Sequence, residues 1–306
     1  MCCLFGFFNY SNKPIKNISQ LTNALARQAT SRGIDATGIS YCDHGNLVIH
    51  KEPKNAYDIT FKHSDSVVAI MGHTRHATQG KETFNYNNHP FSGKCRNVNF
   101  ALAHNGILSN DDDLKNKFKL PDTKIETDSY VAVQLLNYKK RLNISNIKFM
   151  AENVKGSFAF TILDTNNILR LIRGDSPLSL LHFPDRKLYV YASTDSILFK
   201  SLIDTELFEE IKKGKYEEIK INPGDIISIY PDGTISFDKF NYIDTTYYNR
   251  FHWWEYDTFN YNCNDDYVDD LKSIAKTFGY TSETIDSLLQ DGFTPEEIEE
   301  YIYCYE

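Results

Sequence analysis

Seven short apolar runs, none longer than eight residues, limit what this chain can fold into. They fall at residues 66–71, 99–103, 156–163, 168–172, 187–192, 226–230 and 234–237. Runs of this length, bounded by Gly, Asn, Asp and Pro, read as strands and not as helices. Asn166-Asn167 turns one run into the next, and Asp232-Gly233 is a strong hairpin signal between the last two. Helical spacing appears at 18–32, where Leu21, Leu25 and Ala29 recur and Gly33 offers a C-terminal stop. Thr127 or Asp128 can cap a helix running to about residue 138, and Ser193 or Thr194 another ending near Ile203. Hairpin strands with helices packed on them give a layered, mixed helix-and-sheet domain over roughly residues 2–240.

The 306 residues are enough for a sizeable core, and a 41% hydrophobic and 24% charged composition is ordinary for a globular chain. The net charge of −8 and the lack of a basic stripe argue against nucleic acid and against anionic membranes as partners. The opening Met1-Cys2-Cys3-Leu4-Phe5-Gly6 has no basic lead and is too short for a signal peptide, and no run reaches the ~18 apolar residues of a membrane helix. The expected location is the cytoplasm. The six cysteines form no Cys-x-x-Cys pair, and the nine histidines form no His-Glu-x-x-His, so neither a metal nor another cofactor is expected.

Beyond residue 240 the composition shifts. Nine of the twenty residues at 242–261 are aromatic. The stretch 241–263 reads as an aromatic linker or strap over the main domain, or else as an interface. Residues 264–306 read as a small helical tail with candidate helices at 265–278, 282–290 and 294–303. The last of these opens with Thr294-Pro295-Glu296-Glu297, an N-cap, a proline at the first helical position and an early acid.

Cys2 carries the chemistry. Once Met1 is removed, as is expected before a small residue, Cys2 holds a thiol and an α-amine. Their reference pKa values are about 8.5 and about 7.7–8.0. An amine that titrates near neutrality can take the thiol proton and return it to a leaving group. Four further segments stand out: Arg32-Gly33-Ile34-Asp35-Ala36-Thr37-Gly38, Gly72-His73-Thr74-Arg75-His76-Ala77-Thr78, His104-Asn105-Gly106 and Thr127-Asp128. Taken singly, each has an ordinary explanation. Arg75 can be a surface ion pair, Asn105-Gly106 a turn, and Asp128 a helix cap.

Together and in this order, the five segments resemble the class II glutamine amidotransferases. These are the N-terminal-nucleophile hydrolase domains found in glucosamine-6-phosphate synthase and glutamine phosphoribosylpyrophosphate amidotransferase. The resemblance spans about residues 2–235. It implies an α+β fold, the four-layer αββα sandwich of N-terminal-nucleophile hydrolases, with L-glutamine as substrate and no cofactor. It also implies roles. Cys2 attacks the side-chain amide, Asn105 and Gly106 form the oxyanion hole, Arg75 pairs with the α-carboxylate and Asp128 with the α-ammonium. Thr78 supports the substrate loop, and Arg32 steadies the Asn105 region. The histidines near these motifs are expected to be structural.

The chain departs from the family pattern at two places beside the nucleophile. Cys3 stands where glycine is usual, either crowding the site or packing away in the opposite direction along a strand. His76 stands where an aromatic residue is common. Neither a Gly-rich phosphate loop nor a Ser-Gly-Gly-x-Asp motif is found. Ammonia is therefore expected to pass to an acceptor synthase on a separate subunit. The competing readings are a stand-alone hydrolase of glutamine or a γ-glutamyl amide, and a non-catalytic glutamine-binding scaffold.

Overall fold

The computed structural model describes residues 2–242 apart from 97 and 204, and then 268, 272, 275–276, 280–290 and 298. The chain divides into two compact units, Met1–Thr245 and Thr246–Glu306.

The first unit is built on two antiparallel sheets. Its strands in chain order are β1 (Cys3–Asn9), β2 (Ala36–Asp43), β3 (Asn46–Glu52), β4 (Ala69–Arg75), β5 (Phe91–Cys95), β6 (Val98–Leu108), β7 (Gly156–Asp164), β8 (Leu169–Arg173), β9 (Ser179–Phe183), β10 (Leu188–Ala192), β11 (Glu217–Ile219), β12 (Asp225–Ile229) and β13 (Ile235–Lys239). The seven-stranded sheet runs β11-β9-β10-β1-β4-β2-β3, and the six-stranded sheet runs β13-β12-β8-β7-β6-β5. The helices are α1 (Ile18–Gln28), α2 (Asp111–Phe118), α3 (Tyr130–Lys139), α4 (Ile144–Asn153), α5 (Asp195–Leu202) and α6 (Leu207–Lys212).

Successive side chains of a strand point to opposite faces, so a strand buried on both sides feeds two cores. In β1 the residues Cys3, Phe5 and Phe7 pack with Leu21 and Leu25 of α1 and Ile197 and Leu198 of α5. Leu4 and Phe8 point the other way and pack with Ala69 and Met71 of β4 and Ala101, Ala103 and Ala159 of the second sheet. A third core joins the outer face of the second sheet to α3 and α4, through Phe100, Leu102 and Phe160 against Val131, Leu135, Ile147 and Met150. Helices, sheet, sheet and helices thus stack as the expected four-layer αββα sandwich.

The sequence-predicted elements hold at 156–163, 168–172, 187–192 and both arms of the Asp232-Gly233 hairpin, where Gly233 has φ +84°. The helix read over 18–32 ends at Gln28 and tightens into a 3₁₀ turn at Ala29–Ser31. Two strands run further than expected. β4 continues through His73-Thr74-Arg75, and β6 through His104-Asn105-Gly106 to Leu108. The motifs therefore lie inside paired strands and not after them. Neither Thr127 nor Asp128 caps α3: its N-cap is Ser129, which makes no side-chain capping bond. Thr194 does cap α5, accepting from the Ile197 N–H.

Of the tail, only the candidate helix at 282–290 is described throughout; it forms α7 (Ser282–Gln290). Ala275, Ile285 and Ile298 form a small core there, and Lys272 pairs with Asp286 at 2.6 Å. Most of the aromatic stretch and of the other two tail helix candidates lies outside the described residues.

Phe5 is fully buried in the middle of β1, opposite Gly72 of β4, whose missing side chain leaves room for the ring. Phe5→Ala should lower stability by about 3–5 kcal/mol with little change of fold, measured by urea denaturation followed by circular dichroism.

Candidate active site

The two-residue period of the strands aims the motif residues at one place. Ala69 and Met71 of β4 face the second sheet, so His73 and Arg75 share that face. Leu4 of β1 faces the same way, and so does Cys2 two residues before it. The register pairs Cys3 with Thr74 and Leu4 with His73, so one further step sets Cys2 across from Arg75. In β6, Ala101 and Ala103 face the first sheet, and Asn105 follows them. Cys2, Arg75 and Asn105 thus converge between the sheets, at the end where β1 begins.

Hydrogen bonds fix this end. Ser193, just after β10, accepts the Leu4 N–H at 2.8 Å, and its own N–H donates to the Leu4 carbonyl at 2.9 Å. The Asn105 Nδ2 group donates to the Ser193 hydroxyl at 3.4 Å. One serine therefore ties the start of β1 to the amide across the sandwich. Gly106 has φ +134°, and a Cβ there would lie 2.0 Å from the Ser157 carbonyl oxygen, so only glycine fits behind Asn105.

The Cys2 thiol is half-buried. It receives the His76 N–H at 3.4 Å, and it lies in the electrostatic reach of Arg75 and Asp128. Burial pushes its pKa up, which outweighs the His76 N–H and Arg75 pulling it down. Cys3 is buried in the core under α1, so it packs away from the site along the strand. Burial raises its thiol pKa as well.

Arg75 is almost wholly buried. It donates through Nη1 to Asn88 Oδ1 at 2.8 Å and through Nη2 to the carbonyls of Gln79 and Gly80 at 2.5 and 2.7 Å. A guanidinium has five N–H donors, so these three bonds orient it without using it up. Asp128 is buried too. Its Oδ2 accepts the Leu108 N–H at 2.5 Å, its Oδ1 the Ser129 hydroxyl at 3.2 Å, and its own N–H donates to Gln79 Oε1 at 3.0 Å. The carboxylate is therefore held by β6 and the start of α3 and is not spent as a helix cap.

Arg32, read as steadying the Asn105 region, donates through Nε to the Cys2 carbonyl at 3.1 Å. One expectation changes. Thr78 was read as the prop of the substrate loop. It is exposed, with no side-chain hydrogen bond seen among the described residues, and the loop's tie to Asp128 comes from Gln79. The sequence reading also gave no role here to Ser193, Gln79 or Asn88. The signal that could have found two of them is the resemblance itself, since Asn88-His89-Pro90-Phe91 and Ala192-Ser193-Thr194-Asp195 are similar to structural segments of the family. His76 is exposed, with its ring 3.6 Å from the Asp35 carboxylate.

Behind the site lies a buried histidine cluster. His73 Nε2 meets the His104 carbonyl at 3.0 Å, His104 Nδ1 meets Ser129 Oγ at 2.8 Å, and the His73 and His89 rings lie tilted by 41° with centres 4.2 Å apart. Burial lowers all three pKa values, that of His73 to about 3 and that of His89 well below its ordinary value. The imidazoles are neutral at physiological pH. Among the described residues no group of His, Cys, Asp and Glu is arranged to hold a metal ion, and no helix is long and apolar enough to cross a membrane.

With this geometry in view, the similarity to known proteins is informative. Residues 73–205 match the family model described as a glutamine amidotransferase domain. Among curated proteins, the chain is similar to glutamine–fructose-6-phosphate aminotransferase of Staphylococcus epidermidis, with 29% identity over 188 residues, covering 58% of this chain and 30% of that protein. It is also similar to the same enzyme of Aquifex aeolicus, with 32% identity over 156 residues, covering 48% and 26%. The matched part spans under a third of the length of these relatives. Among solved structures, glutamine phosphoribosylpyrophosphate amidotransferase of B. subtilis, in complex with ADP and GMP, superposes with a TM-score of 0.61. It has 24% identity and covers 78% of this chain and 49% of that one. The chain therefore carries a glutamine amidotransferase domain. Its fold is that of the class II, N-terminal-nucleophile amidotransferases.

The buried histidines set an acid limit on stability. A histidine held neutral when folded, with pKa about 3 against 6.5, binds fewer protons than the unfolded chain between those values. Stability should be full above about pH 6.5 and fall as the pH drops through that window, with His73 alone accounting for about 2 kcal/mol at pH 5. Urea midpoints at pH 7.5 and pH 5 check this: an unchanged midpoint would contradict neutral burial.

Proposed function

We propose that the domain hydrolyses the side-chain amide of L-glutamine, with Cys2 as nucleophile and its own α-amine, freed by loss of Met1, as base. The observation that carries this reading is the convergence of Cys2, Arg75 and Asn105 on one face between the sheets, with the Asp128 charge reaching the same thiol. A raised thiol pKa suits a mechanism in which the proton leaves during attack, since an adjacent amine can accept it at that moment.

The steps follow from these groups. Sulfur attacks the amide carbon, and its proton passes to the amine. The Asn105 Nδ2–H and the Gly106 N–H stabilise the tetrahedral oxyanion, each such donor contributing roughly 3–4 kcal/mol to catalysis. The amine returns the proton to nitrogen, ammonia leaves and a thioester remains. Water attacks the thioester, glutamate departs and the thiol is restored. Arg75 takes the α-carboxylate and Asp128 the α-ammonium, a pair of charges that selects a free amino acid over a peptide. Arg32 holds the Cys2 carbonyl in place, and Thr78 lies on the loop after β4, next to Gln79, which accepts the Asp128 N–H. The ammonia goes to an acceptor synthase on a separate subunit. Co-purification with such a synthase tests that last part.

Purified protein should release glutamate from glutamine only when intact mass shows Cys2 at the N-terminus. Full activity with Met1 retained would remove the amine from the mechanism.

Arg75→Ala should raise the glutamine KM and lower kcat/KM by about 2–3 kcal/mol, roughly 30- to 150-fold, with Arg75→Lys recovering part of the loss. Wild-type kinetics in both variants would mean that the glutamine pocket lies elsewhere.

A further inference from the structure

Lys51 belongs to β3 and to none of the motifs, yet its side chain reaches inward beneath the substrate-binding segment. Its Nζ donates to the carbonyls of Asn88 and of Pro90, the second at 3.1 Å, and sits 5.1 Å from the centre of the Phe91 ring. The Lys51 carbonyl accepts Asn85 Nδ2 at 2.7 Å. Lys51 thus grips the 85–90 segment with both its side chain and its backbone. That segment carries Asn88, whose Oδ1 holds Arg75 Nη1 at 2.8 Å and whose Nδ2 reaches back to the Glu82 carbonyl at 2.7 Å.

The ammonium is in an unusual setting. Among the described residues no carboxylate lies within ion-pair distance of it. The charged or titratable groups around it are Arg75 and His73 of β4 and His89 of the turn. The two imidazoles are neutral. Burial, with Arg75 adding repulsion, lowers the Lys51 pKa to about 8. A surface ion pair would face none of this opposition. Here a cation is held beside another cation by two carbonyl oxygens of one short turn, where a neutral side chain would be easier to accommodate. Chains of this kind need a reason, and the turn it grips leads to the guanidinium.

We propose that Lys51 is a positioning residue for glutamine recognition: by clamping the Asn88–Pro90 turn it fixes Asn88, and through Asn88 the guanidinium of Arg75 that receives the substrate carboxylate. The proposal rests on the glutamine pocket described above and adds to it a residue that touches no substrate. It separates binding from chemistry. Cys2, Asn105 and Gly106 are positioned by β1, β6 and Ser193, none of which Lys51 holds. Loss of the clamp should therefore weaken glutamine binding and leave the reacting groups intact.

Lys51→Met keeps the length and the apolar stem of the side chain while removing the charge and the donors. In this variant the glutamine KM should rise about tenfold while kcat stays within about twofold, and Lys51→Arg should restore most of the affinity. Alkylation of Cys2 by iodoacetamide, which has no carboxylate to bind, should proceed at the wild-type rate. Combined with Arg75→Ala, Lys51→Met should add no further rise in KM, because it acts through the arginine already removed. A wild-type KM for Lys51→Met beside a raised KM for Arg75→Ala would overturn the proposal, as would a matching fall in kcat or full additivity of the two changes. A wild-type KM for Arg75→Ala would instead overturn the pocket itself, and this proposal with it. If Lys51→Met does not fold, by circular dichroism, Lys51→Leu gives the same reading, because it too removes the charge and the donors: a raised KM with kcat retained supports the clamp, and a wild-type KM overturns it.

Discussion

The structure depends on the burial of β1 on both of its faces. This strand lies inside the seven-stranded sheet with β10 on one side and β4 on the other, and its alternate residues feed two different cores. Phe5 and Phe7 anchor it beneath α1 and α5, and Leu4 and Phe8 anchor it against the second sheet. A terminal segment held in this way cannot fray as chain ends usually do. The consequence reaches Cys2, which stands one residue outside the strand and inherits its direction from it. The same alternation sends Cys3 into the helix-side core, so two adjacent thiols have different surroundings. Cys3 faces a core that holds its side chain.

Around this anchor the site assembles from buried charges that are satisfied by backbone groups. Arg75 meets the carbonyls of Gln79 and Gly80, and Asp128 meets the Leu108 N–H. Charges in so dry a place would be expensive if left alone, and Arg75 and Asp128 are held by fixed backbone dipoles together with the Asn88 and Ser129 side chains. Fixed dipoles also leave the ionic valence of Arg75 and Asp128 unspent. An arginine neutralised by its own carboxylate would have little left for a substrate, whereas one oriented by carbonyls keeps its full charge. The neutral histidines behind them complete the packing without adding charge. His73 and His104 link the two sheets directly, through an imidazole-to-carbonyl contact across the sandwich.

The sequence by itself determined a good deal. The late strands, the Asp232-Gly233 hairpin, α1 and the Thr194 cap were legible because each rests on neighbours close along the chain. The set of Cys2, Arg75, Asn105, Gly106 and Asp128 was legible as a family pattern in order, although no single member carried it. Tertiary structure decided what depends on contacts between distant residues. Strands β4 and β6 extend through their motifs because pairing with β1, β2 and β7 continues past the apolar stretch, and a polar residue such as His73 or Asn105 interrupts a hydrophobic pattern without interrupting a ladder. Asp128 looked like a cap from its place before a helix, but the Leu108 N–H, 20 residues away in sequence, claims its carboxylate. Lys51 sits between His50 and Glu52 in β3, a strand of exposed and half-buried residues that no apolar run marks, and Ser193 looks like one more hydroxyl before a helix. What makes the first a clamp on Asn88 and the second a bolt between β1 and Asn105 is which backbone atoms the fold brings within 3 Å or so of their side chains, and local pattern holds no record of that.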